Sequence, residues 1–146
     1  MKKIHFDNGV QRFSLNGGVL KFNPCDPNIY ARFLEMGEKL ESLEAELAKK
    51  AAAGPEGDNG QNILMLMAQA DRQAKELLNW VFGGGNDFDK LLEGVNLMAV
   101  AENGRQVIEN LLEVLEPILL DGAKKYTDDA VRTAREKAKQ RRGGLQ

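Results

Sequence analysis

The chain has 146 residues, of which 42% are hydrophobic and 29% charged, and its formal net charge at pH 7 is −2. This length fits one domain with a core of three or four helices and leaves no room for a separate substrate domain. The near-neutral charge excludes a global positive field that would steer the chain toward nucleic acid. Only 6% of the residues are aromatic, whereas Leu, Ala, Glu and Lys are plentiful, so the composition favours helix over sheet.

The first 23 residues have the alternation that is typical of strands. Polar and apolar residues alternate over residues 3–6 and again over residues 11–15, and residues 19–22 run back. Asn16-Gly17 between two such runs is a strong hairpin signal, because both residue types tolerate positive φ. Residues 7–9, Asp-Asn-Gly, offer a second turn. The pattern predicts a β-hairpin or a three-stranded meander, which must pack on the helices or on a neighbouring subunit.

A helix is predicted over residues 27–50. Asp26 is suited to cap its first turn, and Pro27 fits the first helical position, where no N–H is needed. Its apolar residues recur at alternating spacings of four and three, which makes a narrow seam of a and d positions. Five members of the seam are candidate protein-interface residues: Phe33, Met36, Leu40, Leu43 and Leu47. Two interpretations are open. The seam packs on its own domain, or part of it contacts another chain.

Residues 51–60 are rich in Ala and Gly and are predicted to form a loop within one domain. A second helix is predicted over residues 61–82 and stops at Gly83-Gly84-Gly85-Asn86. Its predicted apolar face consists of Ile63, Leu66, Met67, Ala70, Ala74, Leu77, Leu78 and Val81. Phe88, Leu91 and Leu92 indicate a short helix after the stop.

The most apolar helix is predicted over residues 104–120, and we expect it to be the central element of the core. Pro117 lies inside it and should bend it, because proline removes one backbone hydrogen bond. Asp121-Gly122 is predicted to break the helix before a last helical stretch. The expected organisation is one α+β domain over residues 1–122, mainly α with about four helices, and a projecting basic helical extension over residues 123–146.

The extension is strongly basic. From residue 123 onward there are eight Lys or Arg against three Asp or Glu, whereas the rest of the chain is acidic. The candidate partner-binding residues are Arg132, Arg135, Lys139, Arg141 and Arg142. Three roles are open: solubility or pairing between subunits, binding of an acidic protein, and tracking of a phosphate backbone. Nucleic acid is the least favoured, because no aromatic residue after Tyr126 offers a stacking surface.

No arrangement of residues indicates catalysis. Cys25 and His5 are the only Cys and His in the chain, which is too few for a structural zinc site, and one thiol cannot form an internal disulfide. The glycines that begin at Gly83 follow a helix and not a strand, so they do not fit a phosphate-binding loop. We expect a non-enzymatic protein without metal or cofactor. No signal peptide and no membrane-span-length apolar run is evident, so we expect a cytoplasmic protein that does not bind membranes.

The order of the parts is distinctive. A hairpin leads into Phe22-Asn23-Pro24-Cys25-Asp26-Pro27-Asn28 and then a Glu-rich helix that begins Ile29-Tyr30-Ala31-Arg32-Phe33. Later come Trp80-Val81-Phe82-Gly83-Gly84-Gly85-Asn86-Asp87-Phe88 and an apolar helix, from Asn103-Gly104 to Leu119-Leu120, that contains Glu116-Pro117. In these parts, over about residues 6–120, the chain resembles the tail assembly chaperones of long-tailed bacteriophages and prophages of Gram-positive bacteria.

The resemblance implies a non-enzymatic role in the cytoplasm of the host cell. Such chaperones coat the long, aggregation-prone tape measure protein, recruit tail tube subunits and commonly self-associate. The resemblance assigns no binding residue, and the basic extension lies outside it. The alternatives are a phage structural or adaptor protein that is built into the particle, and a cellular protein-interaction module.

Overall fold

The computed structural model of the chain describes residues 1–54 and 60–144. In these residues, two strands form a hairpin near the N-terminus and four helices follow. Their bounds are β1 Gln11–Leu15, β2 Gly18–Phe22, α1 Pro27–Ala52, α2 Gln61–Phe82, α3 Phe88–Leu91 and α4 Val107–Gly144. The predicted fold class, mainly α with an N-terminal hairpin, is confirmed.

The hairpin has the turn that its sequence predicts. β1 and β2 pair antiparallel, with Phe13 opposite Leu20. The two residues between the strands, Asn16 and Gly17, both have positive φ, 47° and 86°. A two-residue turn of this kind has a twist that matches the strands it joins, which is why Asn-Gly is favoured there.

The structure contains the hairpin and not the three-stranded meander. Residues 3–6 are not in a strand, and Ile4 and Phe6 are 86% and 81% exposed. Asn23, the residue after β2, donates from its Nδ2 to the carbonyl oxygen of Asn8 at 3.3 Å. The segment of the predicted second turn is therefore hydrogen-bonded to the residue after β2. The alternation of polar and apolar residues over residues 3–6 did not indicate whether a neighbouring strand is available to pair with them.

Four phenylalanine rings connect the hairpin to the helices. Phe13 on β1 stacks on Phe22 on β2, with ring centroids 4.8 Å apart. Phe22 meets Phe82 at the end of α2 edge to face at 4.9 Å, and Phe82 lies 5.5 Å from Phe88 at the start of α3. Each such pair contributes about 0.5–1.5 kcal/mol beyond the area that it buries. The row supplies the support that an isolated hairpin lacks.

The side chain of Asn86 holds the outer edge of β2. Its Oδ1 accepts from the Lys21 backbone N–H at 3.0 Å, and its Nδ2 donates to the Lys21 carbonyl oxygen at 2.7 Å. The same Nδ2 donates to the carbonyl oxygen of Gly83 at 2.7 Å. The segment that ends α2 therefore also provides an amide that pairs with the edge strand as a neighbouring strand would.

Most of the buried apolar side chains form one core between the hairpin and the helices. Leu20 and Phe22 enter it from β2, and Leu115 and Leu119 enter it from α4. The other members are Ile29, Met36, Ala74, Leu78, Val81, Phe82, Phe88, Leu92, Leu97, Ile108 and Leu111. The first part of α4 is thus a core element, as its apolar pattern predicts.

α1 and α2 run antiparallel beside each other. Asp26 caps α1 through its side chain, and Pro27 is the first helical residue, as predicted. Arg32, near the start of α1, donates from Nε to the carbonyl oxygen of Val81, near the end of α2, at 3.0 Å. This bond fixes the start of one helix against the end of the other.

The loop predicted over residues 51–60 begins later than expected. Ala51 and Ala52 are helical, so α1 ends two residues beyond the predicted residue 50. Residues 55–59 of the predicted loop lie outside the described residues. α2 then spans Gln61–Phe82, which are the predicted bounds.

A buried lysine joins α2 to the segment that follows it. Lys75 is 5% exposed, and its Nζ donates to Asp71 at 3.0 Å and to Asp89 at 2.7 Å. The other carboxylate oxygen of Asp71 accepts from the Leu97 backbone N–H at 2.8 Å. Burial acts to lower the pKa of Lys75, but the hydrogen bonds to Asp89 and Asp71 outweigh it, so this pKa is raised above its ordinary value. Lys75 is a charged residue inside the fold, a role that the apolar spacing of α2 does not predict.

α4 begins three residues later than predicted, at Val107 and not at residue 104. Gly104 has a left-handed φ of 82°, and Gln106 pairs with Val100 in an isolated antiparallel bridge. Residues 100–106 therefore form a closed loop before the helix. The glycine that the sequence places at the helix start belongs to this loop.

α4 then continues through Asp121-Gly122 to Gly144 as one helix of 38 residues. The predicted break and the predicted end at residue 120 are wrong. Gly122 is buried against Pro24, and a Cβ built on it would overlap the carbonyl group of Pro24. Glycine is required here for a close contact between two segments, and it does not end the helix. Pro117 also lies within α4.

Replacing Lys75 with Met should lower the free energy of unfolding by about 3 kcal/mol, because the carboxylate of Asp71, which is only 13% exposed, loses its cation. Lys50→Met is the matched control. Lys50 lies 3.2 Å from Glu46, one turn away, but these two side chains are 54% and 59% exposed, and such pairs contribute about 0–1 kcal/mol. Urea unfolding followed by circular dichroism measures both losses. Equal losses would contradict the structural role of Lys75.

The raised pKa of Lys75 gives the same variants a pH readout. Proton binding by Lys75 favours the folded state, so its contribution is complete below the ordinary lysine pKa of about 10.4 and is lost as pH rises through the higher folded value. The difference in unfolding free energy between wild type and Lys75→Met should therefore shrink above about pH 10.4. A difference that stays constant across this window would contradict the pairing.

Gly122→Ala should lower the free energy of unfolding by about 2 kcal/mol, because the new methyl group forces α4 away from Pro24. Gly37 in α1 is the matched control, since it is also helical and a Cβ there meets nothing within 4 Å. Gly37→Ala should raise the free energy of unfolding by about 1 kcal/mol, the difference in helix propensity. Thermal unfolding measures whether each substitution raises or lowers the free energy of unfolding. A stabilised Gly122→Ala would show that the close contact with Pro24 is wrong.

Candidate protein-binding surfaces

The predicted interface seam of α1 divides into a core part and a surface part. Met36 is 1% exposed and belongs to the core, and Phe33 and Leu40 pack against that core. Leu43 and Leu47, in the second half of α1, are half-buried. The two interpretations of the seam thus apply to different residues: Met36 supports its own domain, while Leu43 and Leu47 retain surface that another chain can cover.

An open groove of about 550 Å³ lies between α1 and α2. Leu43 and Leu77 give it apolar surface, and three carboxylates line it as well, those of Glu38, Glu46 and Glu76. We call these five residues the acidic groove. A groove with apolar and acidic lining suits an amphipathic helix whose polar side chains are basic.

Two of the three carboxylates form no ion pair within the described residues. Glu46 lies 3.2 Å from Lys50. In the described part of the chain, no Lys or Arg forms an ion pair with Glu38 or Glu76. The acidic groove therefore has negative charge that a bound cationic side chain would neutralise.

Lys39 also lines the acidic groove but is engaged elsewhere. Its Nζ lies 3.5 Å from Glu35 and 4.3 Å from the centroid of the Trp80 ring. A cation over the face of a tryptophan is attracted to it by about 0.5–1 kcal/mol at an exposed site. Trp80 is the only tryptophan in the chain and is 40% exposed. Its fluorescence is therefore a reporter of changes at the acidic groove.

The start of α2 exposes apolar side chains on more than one face. Ile63, Leu64 and Met65 are 46%, 71% and 62% exposed, and three successive helical residues span about 200° of the helix circumference. We call these three residues the α2 apolar patch. The predicted apolar face contained only Ile63 of the three. The signal for the others is the unbroken apolar run over residues 63–68, which is wider than one helical face.

The predicted basic residues lie on the exposed end of α4. They are Arg132, Arg135, Lys139, Arg141 and Arg142. Every residue from 124 to 143 is exposed. Arg132 lies 3.7 Å from Asp129, and both side chains are solvated, so this pair adds little stability. The end of α4 is thus a basic helix that is not covered by its own domain.

Cys25 and His5 lie in different surroundings. Cys25 is a half-buried free thiol, and His5 is exposed. Two clefts beside Cys25, of about 480 and 140 Å³, are lined by residues that include Tyr126, and His5 lines neither of them. Over residues 1–54 and 60–144, no three Cys, His, Asp or Glu side chains are grouped so that they could hold a metal ion. These placements assign no chemistry to either residue.

No protein-family model, curated protein or solved structure matches this chain. Among the helices that the structure describes, none has an apolar stretch of the length that a membrane crossing requires.

Met36→Ala should lower the free energy of unfolding by about 2–4 kcal/mol, because it leaves a cavity in the core. Leu47→Ala, in the same seam, should cost less than about 1 kcal/mol, since a half-buried side chain removes less apolar area from water. Urea unfolding with unchanged m-values measures both losses. A loss for Leu47→Ala as large as that for Met36→Ala would place Leu47 in the core.

Proposed function

We propose that this chain is a tail assembly chaperone of a long-tailed phage or prophage. In this role it binds the tape measure protein in the host cytoplasm and helps to recruit tail tube subunits, without catalysing a reaction. The resemblance over about residues 6–120 supports the identity of the client. The α2 apolar patch is the observation that carries the proposal, because neighbouring apolar side chains exposed together on a folded domain are typical of a protein-binding surface.

The chemistry of the α2 apolar patch suits a client of this kind. A long helical protein that aggregates before assembly presents apolar side chains at many places along its length. Met65 is unbranched and adapts to differently shaped apolar partners, as methionines do on surfaces that bind many sequences. Ile63 and Leu64 add branched side chains that remain exposed in the free chain. The patch therefore fits a series of apolar sites better than one specific pocket.

The size of the patch also fits reversible binding. Full burial of a large aliphatic side chain contributes about 1.5–3 kcal/mol, so three such side chains contribute at most about 5–9 kcal/mol before the cost of association is subtracted. One patch alone would hold a client weakly. Copies that are linked to one another along one long client would hold it more firmly than one copy does. Each contact would still be weak enough to release, which a chaperone that is absent from the finished particle needs.

The test is co-expression with the tape measure protein of the same genome. The wild-type chain should raise the soluble fraction of that protein several-fold, and Leu64→Asp combined with Met65→Asp should abolish the gain, because charge is costly in an apolar interface. Val100→Asp combined with Val114→Asp is the matched control, since these valines are 72% and 54% exposed elsewhere on the molecule. Circular dichroism confirms that both double variants fold.

Two outcomes would reject the proposal. In the first, the tape measure protein is equally soluble without this chain. In the second, the patch variant protects it as well as the wild type does. Mass spectrometry of purified particles distinguishes the chaperone from a built-in structural protein, because abundant peptides of this chain in the particles would support the latter.

A further inference from the structure

The exposed end of α4 and the acidic groove have opposite charge. Residues 124–143 contain eight Lys or Arg and three Asp or Glu. Arg135 and Lys139 form no ion pair within the described part of the chain, and neither do Glu38 and Glu76 in the acidic groove. Each chain thus presents two unpaired cations on a helix and two unpaired carboxylates in a groove that suits a helix.

Within one chain these two surfaces do not meet. The residues that line the acidic groove come from α1 and α2 alone, and every α4 residue from 124 to 143 is exposed. α4 is one helix from Val107 to Gly144, so it has no loop that would let its end fold back. An α4 end that occupies this groove therefore has to come from another copy of the chain.

The spacing of the side chains fits a helix seated in the groove. Val131 is 43% exposed, and Arg135 and Lys139 follow it at intervals of four, on the same side of α4. Arg135 lies about 6 Å along the helix from Val131, and Glu38 lies about 7.5 Å along α1 from Leu43. Val131 and Arg135 are thus spaced along α4 about as Leu43 and Glu38 are spaced along α1.

We infer that the basic end of α4 docks in the acidic groove of a second copy of this chain. Val131 contacts Leu43 and Leu77 of that copy, and Arg135 and Lys139 neutralise Glu38 and Glu76. Each copy offers one helix end and one groove, so the contact is head to tail and can continue from copy to copy. This inference does not depend on which client the α2 apolar patch binds.

Sedimentation velocity of the full chain tests the contact. The wild type should associate at about 50 mM salt and dissociate progressively toward about 500 mM, because exposed ion pairs are screened. A groove variant, Glu38→Lys with Glu76→Lys, should associate at least about tenfold more weakly. A helix variant, Arg135→Glu with Lys139→Glu, should be weakened to the same extent. All four positions are exposed, and circular dichroism confirms that both variants fold.

Mixing the two variants provides the decisive measurement. In each variant alone, positions 38 and 76 of the groove and positions 135 and 139 of α4 carry charge of the same sign, whereas in the mixture the groove of one variant can meet opposite charges at positions 135 and 139 of the other. Association should therefore return in the mixture, and Trp80 fluorescence should change only when association occurs. Glu102→Lys with Glu116→Lys is the control, because it makes the same change in net charge at exposed positions outside the groove and should leave association unchanged.

Three results would overturn the inference. The first is a wild-type chain that stays monomeric at about 50 mM salt up to about 100 µM. The second is association that survives in both variants. The third is a mixture that fails to recover. A monomeric wild type whose α4 end binds duplex DNA with steep salt dependence would also reject the inference. In that case the basic end of α4 binds nucleic acid and not a second copy of the chain.

Discussion

Two strands of five residues each bury too little apolar surface to stay folded in water, and the architecture of this chain follows from how that deficit is met. The row of rings from Phe13 to Phe88 fastens the hairpin to the ends of α2 and α3. The fixed hairpin in turn fixes Pro24, which lies two residues after the end of β2. Pro24 is the surface against which Gly122 of α4 packs. Ring contacts near the N-terminus thereby position the longest helix.

The parts of the fold that short-range signals determine were predictable from the sequence. Asn16-Gly17 forms the turn, and Asp26 caps α1. The parts that contacts between distant segments determine were not. Gly122 has the local signature of a helix end, and only its contact with Pro24 explains why the helix continues. Lys75 resembles a solvated lysine of an amphipathic helix until the carboxylates around it are located.

The candidate surfaces were less predictable from the sequence than the fold was, because contacts between distant segments determine them. The seam of α1 gave Leu43 as an interface residue, but periodicity does not distinguish it from Met36, which the tertiary fold buries. The acidic groove combines Glu76 of α2 with Leu43 of α1. The sequence of neither helix alone predicts how the two helices pack. The basic end of α4 was predictable from its charge alone, because no tertiary contact buries or pairs off an exposed segment of this kind.

The continuity of α4 has a geometric consequence. Leu119 is held in the core and Val131 lies on the exposed end, and both belong to one rod in which each residue turns the side-chain direction by about 100°. The azimuth of the basic face is therefore set by the number of residues between them. A chain that gained one residue there would keep its charge, its core and its helix but aim that face elsewhere, whereas a gain of about seven residues would nearly restore the original direction.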